Sequence, residues 1–234
     1  MKRLTWYHEL GFYSNPFSIK PAAFHNELMG QEKLIDKINE KLSDVQSVLL
    51  SGRYGTGKTT VMKGITSKFG GKREVIYYNC NQSDELIDYD KLLIGAGGFF
   101  RRLFRIRKKN MIILLDEAQE MNESDMDNLV KYKEQGFFRS VVVVGNDIEM
   151  TPELESFIGN NKIKVGEINE DEAVKIIRKR IGEIGIISDK MLAKVFSKDK
   201  NPRAFLKNCE DLCRYAYENG EEEVKEKYIN EILA

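Results

Sequence analysis

The stretch Gly52-Arg-Tyr-Gly-Thr-Gly57-Lys58-Thr59 constrains this chain more than any other part of it. It fits the pattern G-x-x-x-x-G-K-[ST] in full, and it lies between a short apolar run, Ser47 to Ser51, and helical periodicity from Lys58 to about Phe69. A strand that turns through glycines into a helix points backbone N–H groups inward and adds the positive end of a helix dipole. Both favour a polyanion. On that geometry Gly52, Tyr54, Gly55, Thr56, Gly57 and Thr60 wrap the phosphates of ATP and Lys58 reaches the β and γ phosphates. The Thr59 hydroxyl completes the shell of a Mg2+ ion. The competing reading, a glycine-rich loop without a ligand, leaves the strand-loop-helix context unexplained.

The same alternation continues along the chain. Gln31–Leu42 has helical spacing, and strands are expected at 47–51, 75–80, 111–115, 141–144 and 163–165. Helices fall between them at 58–69, from about Asp84 to Arg105, and at about 124–134. Strands alternating with helices imply a parallel five-stranded sheet covered on both faces, an α/β fold. After Gly166 the strands stop. Asn169 or Asp171 suits a helix N-cap, a second helix falls around 191–196, and Asn201-Pro202 opens a third with Phe205, Cys209, Leu212, Cys213 and Ala216 on one face. The tail from Glu221 suits a last helix. The expected division is an α/β domain over 1–167, with an aromatic-rich arm (Trp6, Tyr7, Phe12, Tyr13, Phe17, Phe24) packed on it, and a small all-helical lid over 168–234.

Met111-Ile-Ile-Leu-Leu-Asp116-Glu117 is an apolar strand ending in two carboxylates. Asp116 is placed to bind magnesium through water and Glu117 to polarise an attacking water, which marks an ATPase rather than a kinase; an N-cap and a first-turn acid would look the same in isolation. Val141-Val-Val-Val-Gly-Asn146 is a second strand ending in a polar residue. If it neighbours the first, Asn146 can bond the γ-phosphate or the attacking water. Arg203, at the start of a helix, could report across a cleft whether that phosphate is present.

These elements in this order resemble an AAA+ ATPase of the ExeA-like, transposition-ATPase-like and archaeal origin-recognition-like group. Tyr7–Leu42 is similar to the amino-terminal segment of ExeA-like proteins and Asn201–Ile232 to their helical lid, so the resemblance spans nearly the whole chain. It implies a homo- or hetero-oligomer with ATP between neighbouring subunits. One departure stands out: 147–166, where the family's arginine finger usually lies, holds no arginine and only Lys162 and Lys164. A finger supplied in trans is worth about a thousandfold or more in rate. Slow hydrolysis is therefore expected unless a partner supplies the group. Origin-recognition-like proteins usually continue into a winged-helix domain where this chain stops, so DNA affinity from that source is not expected.

Arg101-Arg-Leu-Phe-Arg-Ile-Arg-Lys-Lys109 carries six basic residues, Arg101, Arg102, Arg105, Arg107, Lys108 and Lys109, and no acid. Three readings stay open: neutralising DNA phosphates, binding an acidic partner such as the 221–226 region of a neighbouring subunit, or a solvated helix end. Overall charge does not choose, because Lys+Arg and Asp+Glu are both 37 in 234 residues. No run approaches membrane-spanning length, no signal peptide is visible, and the three cysteines read as reduced core thiols, all consistent with a cytoplasmic protein without membrane insertion. The expected role is an ATP-controlled switch on DNA, initiator-like or transposition-type. The alternatives are an ExeA-like ATPase serving a secretion or surface apparatus and an ATP-loaded binding module with little turnover.

Overall fold

The computed structural model describes residues 5–19, 31–70, 74–82, 85–166 and 168–233. In chain order its elements are α1 (Trp6–Glu9), α2 (Glu32–Ser43), β1 (Val48–Ser51), α3 (Lys58–Gly70), β2 (Val75–Asn79), α4 (Tyr89–Gly95), α5 (Phe99–Leu103), β3 (Met111–Asp116), α6 (Glu123–Glu134), β4 (Phe138–Gly145), α7 (Pro152–Ile158), β5 (Lys162–Lys164), α8 (Glu170–Ile181), α9 (Asp189–Lys198), α10 (Pro202–Glu218) and α11 (Glu226–Ile232). Packing divides them into two compact units. One runs from Gln31 to Val165, and the other joins residues 5–19 to the described residues from Gly166 onward.

In the first unit the described strands form one sheet in the order β2-β3-β4-β1-β5, every pair parallel. Every residue of β3 is buried, which is what an unbroken apolar run requires of a central strand covered on both faces. Strand β4 is the expected 141–144 strand extended to both sides, because Phe138 and Ser140 pair with Met111 and Ile112 and are buried there. It lies between β1 and β3. All the strands being parallel, the loops leaving β1, β3 and β4 emerge at one edge, the usual place for a ligand in an α/β sheet.

Two expectations need correction here. The helix expected over 84–105 is broken into α4 and α5: Gly97 and Gly98 follow α4, and glycine costs a helix interior about 1 kcal/mol. Asp84, its expected start, lies outside the described residues. Helix α7 was not foreseen; Thr151 caps it by accepting the Leu154 N–H, and Pro152 sits at the first turn.

The second unit is helical. Asn169, not Asp171, caps α8, exchanging bonds with Glu172 in a capping box, and Asn201 caps α10 by accepting the N–H groups of Arg203 and Ala204. Its core contains Ile177, Ile181, Leu192, Phe205, Cys209, Leu212 and Cys213. The aromatic arm belongs to this core rather than to the α/β unit. Phe17 is fully buried in it with Trp6, Leu10 and Phe12 packed around, Asn15 donates to Glu210 Oε1 at 2.7 Å, and Arg180 donates to the Pro16 and Ser18 carbonyls at 3.2 and 3.1 Å. The arm was expected on the α/β domain, whereas apolar rings go where an apolar helix face needs cover. Phe24 lies outside the described residues. Cys80, Cys209 and Cys213 are free and buried, and burial pushes the Cys80 thiol up to about 12. Among the described residues no helix is long and apolar enough to cross a membrane.

Candidate functional site

Strand β1 ends at Ser51, and the chain turns through Gly52–Gly57 before Lys58 opens α3. The turn is built from its own residues. Thr56 is buried, and its hydroxyl donates to the Arg53 carbonyl at 2.8 Å. Gly57 sits at φ 97°, a left-handed backbone that a side chain would strain, so glycine is required where the loop enters the helix. Gly52 is buried, Gly55 is half-buried and Tyr54 is exposed at the loop's outer side. Thr59 and Thr60 stand half-buried in the first turn of α3.

The Lys58 side chain folds back over the loop. Its Nζ donates to the Gly52 carbonyl at 2.6 Å and to the Arg53 carbonyl at 3.2 Å. Burial lowers its pKa, and the nearby Glu117 and Asp116 carboxylates oppose that shift. Neutral carbonyls are weak partners for an ammonium, so an anionic phosphate offers Lys58 a stronger one.

Asp116 closes β3 and is buried. Its Oδ2 accepts the Tyr77 hydroxyl at 3.0 Å and its Oδ1 accepts the Glu117 N–H at 3.0 Å. Burial raises the Asp116 pKa, against those two bonds and Lys58. The same arrangement pushes the Tyr77 hydroxyl up to about 12, through burial first and the Asp116 charge second. Glu117 follows at φ 54°, a left-handed backbone rare outside glycine that costs on the order of 1 kcal/mol and is most often seen at functional sites. Gln119 donates to its carboxylate at 2.6 Å. Asn146, exposed just beyond β4, gives its N–H to Gln119 Oε1 at 3.2 Å. Because β4 pairs with both β1 and β3, the condition set for Asn146 is met: its strand neighbours the one ending at Asp116.

The donor set fits a magnesium ion shared with a nucleotide. Thr59 and Asp116 offer hard oxygens, which suit Mg2+, while no group of three or more His, Cys, Asp or Glu able to hold a metal occurs among the described residues. A small cation that binds one or two protein oxygens and takes the rest from phosphates and water matches that sparse set.

Residues 44–157 match a family model described as an AAA domain. The α/β unit is an AAA+ domain. Solved structures agree on the fold. Cdc6p from Pyrobaculum aerophilum superposes with a TM-score of 0.66 at 17% identity, over 89% of this chain and 67% of its own. Drosophila ORC, solved bound to DNA, gives 0.68 at 17% identity, over 94% and 63%. A RuvB variant from Thermotoga maritima gives 0.66 at 17% identity, over 88% and 69%. This chain thus spans about two thirds of their length. No curated protein matches its sequence.

Two candidate residues or groups lie elsewhere. Arg203 is exposed on the first turn of α10, in the helical unit. The basic segment belongs to the AAA+ domain but does not form one uniform face. Arg101, Arg102 and Arg105 are exposed, with Arg102 Nε donating to the Gly95 carbonyl at 2.9 Å. Arg107 pairs with Asp90 at 3.1 Å, and both Arg107 and Lys109 lie over the Phe137 ring, at 4.6 and 5.3 Å from its centre. Lys108 is half-buried. Before and between these cations, Phe99, Phe100, Leu103 and Phe104 are all more than half exposed. Tyr77 and Gln119 were missed by sequence reasoning. Gln119 had a signal, its place two residues after Glu117; Tyr77 had none, because only the pairing of β2 with β3 brings its hydroxyl to Asp116.

Proposed function

We propose that the AAA+ domain binds ATP with Mg2+ and hydrolyses it, serving as an ATP-controlled switch that acts on DNA. The observation that carries the reading is the parallel strand order, which sets the Gly52–Lys58 loop after β1, Asn146 after β4 and the Asp116-Glu117 pair after β3 at one edge of the sheet. Lys58 leaves the Gly52 and Arg53 carbonyls for the β and γ phosphates, and the loop amides from Gly55 to Thr60 take the rest of the polyanion. The Thr59 hydroxyl, and the Asp116 carboxylate through water, would hold Mg2+, which would supply charge neutralisation on the phosphate oxygens. Glu117 accepts a proton from the attacking water, and Asn146 orients that water or bonds the γ-phosphate.

With no arginine between 147 and 166, turnover by the protein alone is slow unless a partner supplies that group in an oligomer. The DNA role draws support from the exposed cations Arg101, Arg102 and Arg105, interleaved with exposed aromatic rings, a combination suited to phosphates and bases. Similarity of fold to Cdc6p and to a DNA-bound ORC is in keeping with it. Such work belongs in the cytoplasm.

Glu117→Gln is the direct test. It keeps the shape of the side chain and removes the base, so ATP should stay bound while turnover falls roughly a hundredfold or more. Unchanged phosphate release in that variant would move the chemistry elsewhere.

A further inference from the structure

The Gln119 side chain joins the ends of β3 and β4. Its Nε2 donates to Glu117 Oε2 at 2.6 Å and its Oε1 accepts the Asn146 N–H at 3.2 Å. The partners fix which end of the amide is which, since a carboxylate only accepts and an N–H only donates. The amide also lies against β4: a Cβ on Gly145 would stand 2.4 Å from Gln119 Oε1, so the strand ends in the one residue that leaves room for it. Glu117 in turn has a left-handed backbone and is tied through one oxygen; among the described residues its Oε1 accepts no hydrogen bond and is open to another donor. Sequence separation makes this bridge informative. Gln119 lies 27 positions from Asn146, so no local turn creates the contact.

We propose that Gln119 is a positioning residue that locks the Glu117 carboxylate to the Asn146 main chain, so that the water-polarising group and the γ-phosphate-sensing group are set as one unit. The inference rests on the roles given to Glu117 and Asn146 above. An amide bond to one carboxylate oxygen fixes the plane in which the other can meet water, and small misplacements of a catalytic group are costly in rate. The second bond ties that plane to the strand end carrying Asn146. Whatever moves Asn146 when a γ-phosphate is present therefore also moves Glu117.

Gln119→Leu keeps the bulk of the side chain and removes both bonds. Turnover and equilibrium affinities for Mg-ATP and Mg-ADP are measured on the full chain, beside Asn146→Ala and the double variant Glu117→Gln/Gln119→Leu. The expected result is a turnover about tenfold or more lower, an ATP-over-ADP preference reduced to that of Asn146→Ala, and an unchanged melting midpoint. The double variant should be no slower than Glu117→Gln alone, because residues acting as a unit do not add. Gln119→Glu keeps an acceptor for Asn146 but sets two carboxylates together, and should lose turnover as well. Unchanged turnover with unchanged ATP preference overturns the proposal, as does a loss that merely follows a fallen melting midpoint; a rise in turnover would mark Gln119 as a restraint instead. If the unmodified protein binds ATP and releases no phosphate, the hydrolysis reading fails by itself. The ATP-over-ADP comparison then still decides: a reduced preference in Gln119→Leu supports the lock, and an unchanged one refutes it.

Discussion

Gly145→Ala adds a single methyl group where β4 meets the Gln119 amide. Gly145 pairs in register with Ser51, and its new Cβ would stand 2.4 Å from Gln119 Oε1, 2.9 Å from Ile148 Cδ1 and 3.0 Å from Ile148 Cγ1. The closest two are outer atoms of flexible side chains rather than backbone, so the neighbours can give way. The stability cost should sit at the low end of the range for overpacking, about 1 kcal/mol, which in a chain of this size lowers the melting midpoint by roughly 2–4 °C. Activity should suffer more. Gln119 must withdraw from β4, and its bonds of 2.6 Å to Glu117 and 3.2 Å to Asn146 cannot both survive. Turnover is therefore expected to fall about tenfold while ATP stays bound. Differential scanning fluorimetry with a phosphate-release assay reads both quantities. Wild-type turnover beside a small drop in midpoint would show that the Gln119 bonds do nothing for the chemistry, and a collapse of the fold would show that the packing at the end of β4 cannot relax.

Asp116 provides a pH test. Burial raises its pKa in the folded protein, so its charge weakens the fold while ionised and the burden lifts as pH falls through that raised value. Asp116→Asn should be the more stable protein near neutrality in metal-free buffer, with the gap closing as pH falls; a gap that widens in acid by chemical unfolding contradicts the assignment. For the basic segment, replacing Arg101, Arg102 and Arg105 by Glu should abolish binding of labelled duplex or single strands, which in the unmodified protein should fall steeply with salt, by about one unit of log-log slope per phosphate contact. Anisotropy measured beside solution mass checks it: affinity lost at constant mass supports DNA, whereas mass lost first supports a protein interface.

The elements of the sheet were legible because their signals are local. An apolar run followed by Gly52–Gly57 and Lys58 can only be a strand turning into a helix, and Asn201-Pro202 announces the start of α10 by its capping chemistry alone. The acids at 116 and 117 were readable for the same reason. What was not legible depends on tertiary partners. The arm's destination was set by the buried ring of Phe17, which could have packed on either apolar surface. The division of the basic segment, with Arg107 drawn to Asp90, needed the fold of α4 to bring the two together. Gln119 and Tyr77 matter through residues 27 and 39 positions away, and no periodicity reports such a pairing.

Isothermal titration of Mg-ATP into the unmodified protein and into Lys58→Ala measures the central claim most directly. The variant loses a cation and the charge-assisted bonds it would make to the β and γ phosphates, worth roughly 1.5–3 kcal/mol each. The account predicts saturable binding by the unmodified chain and an affinity at least about tenfold weaker in the variant, with the fold intact by circular dichroism. Equal affinity in the two proteins, or no binding by either, would contradict it.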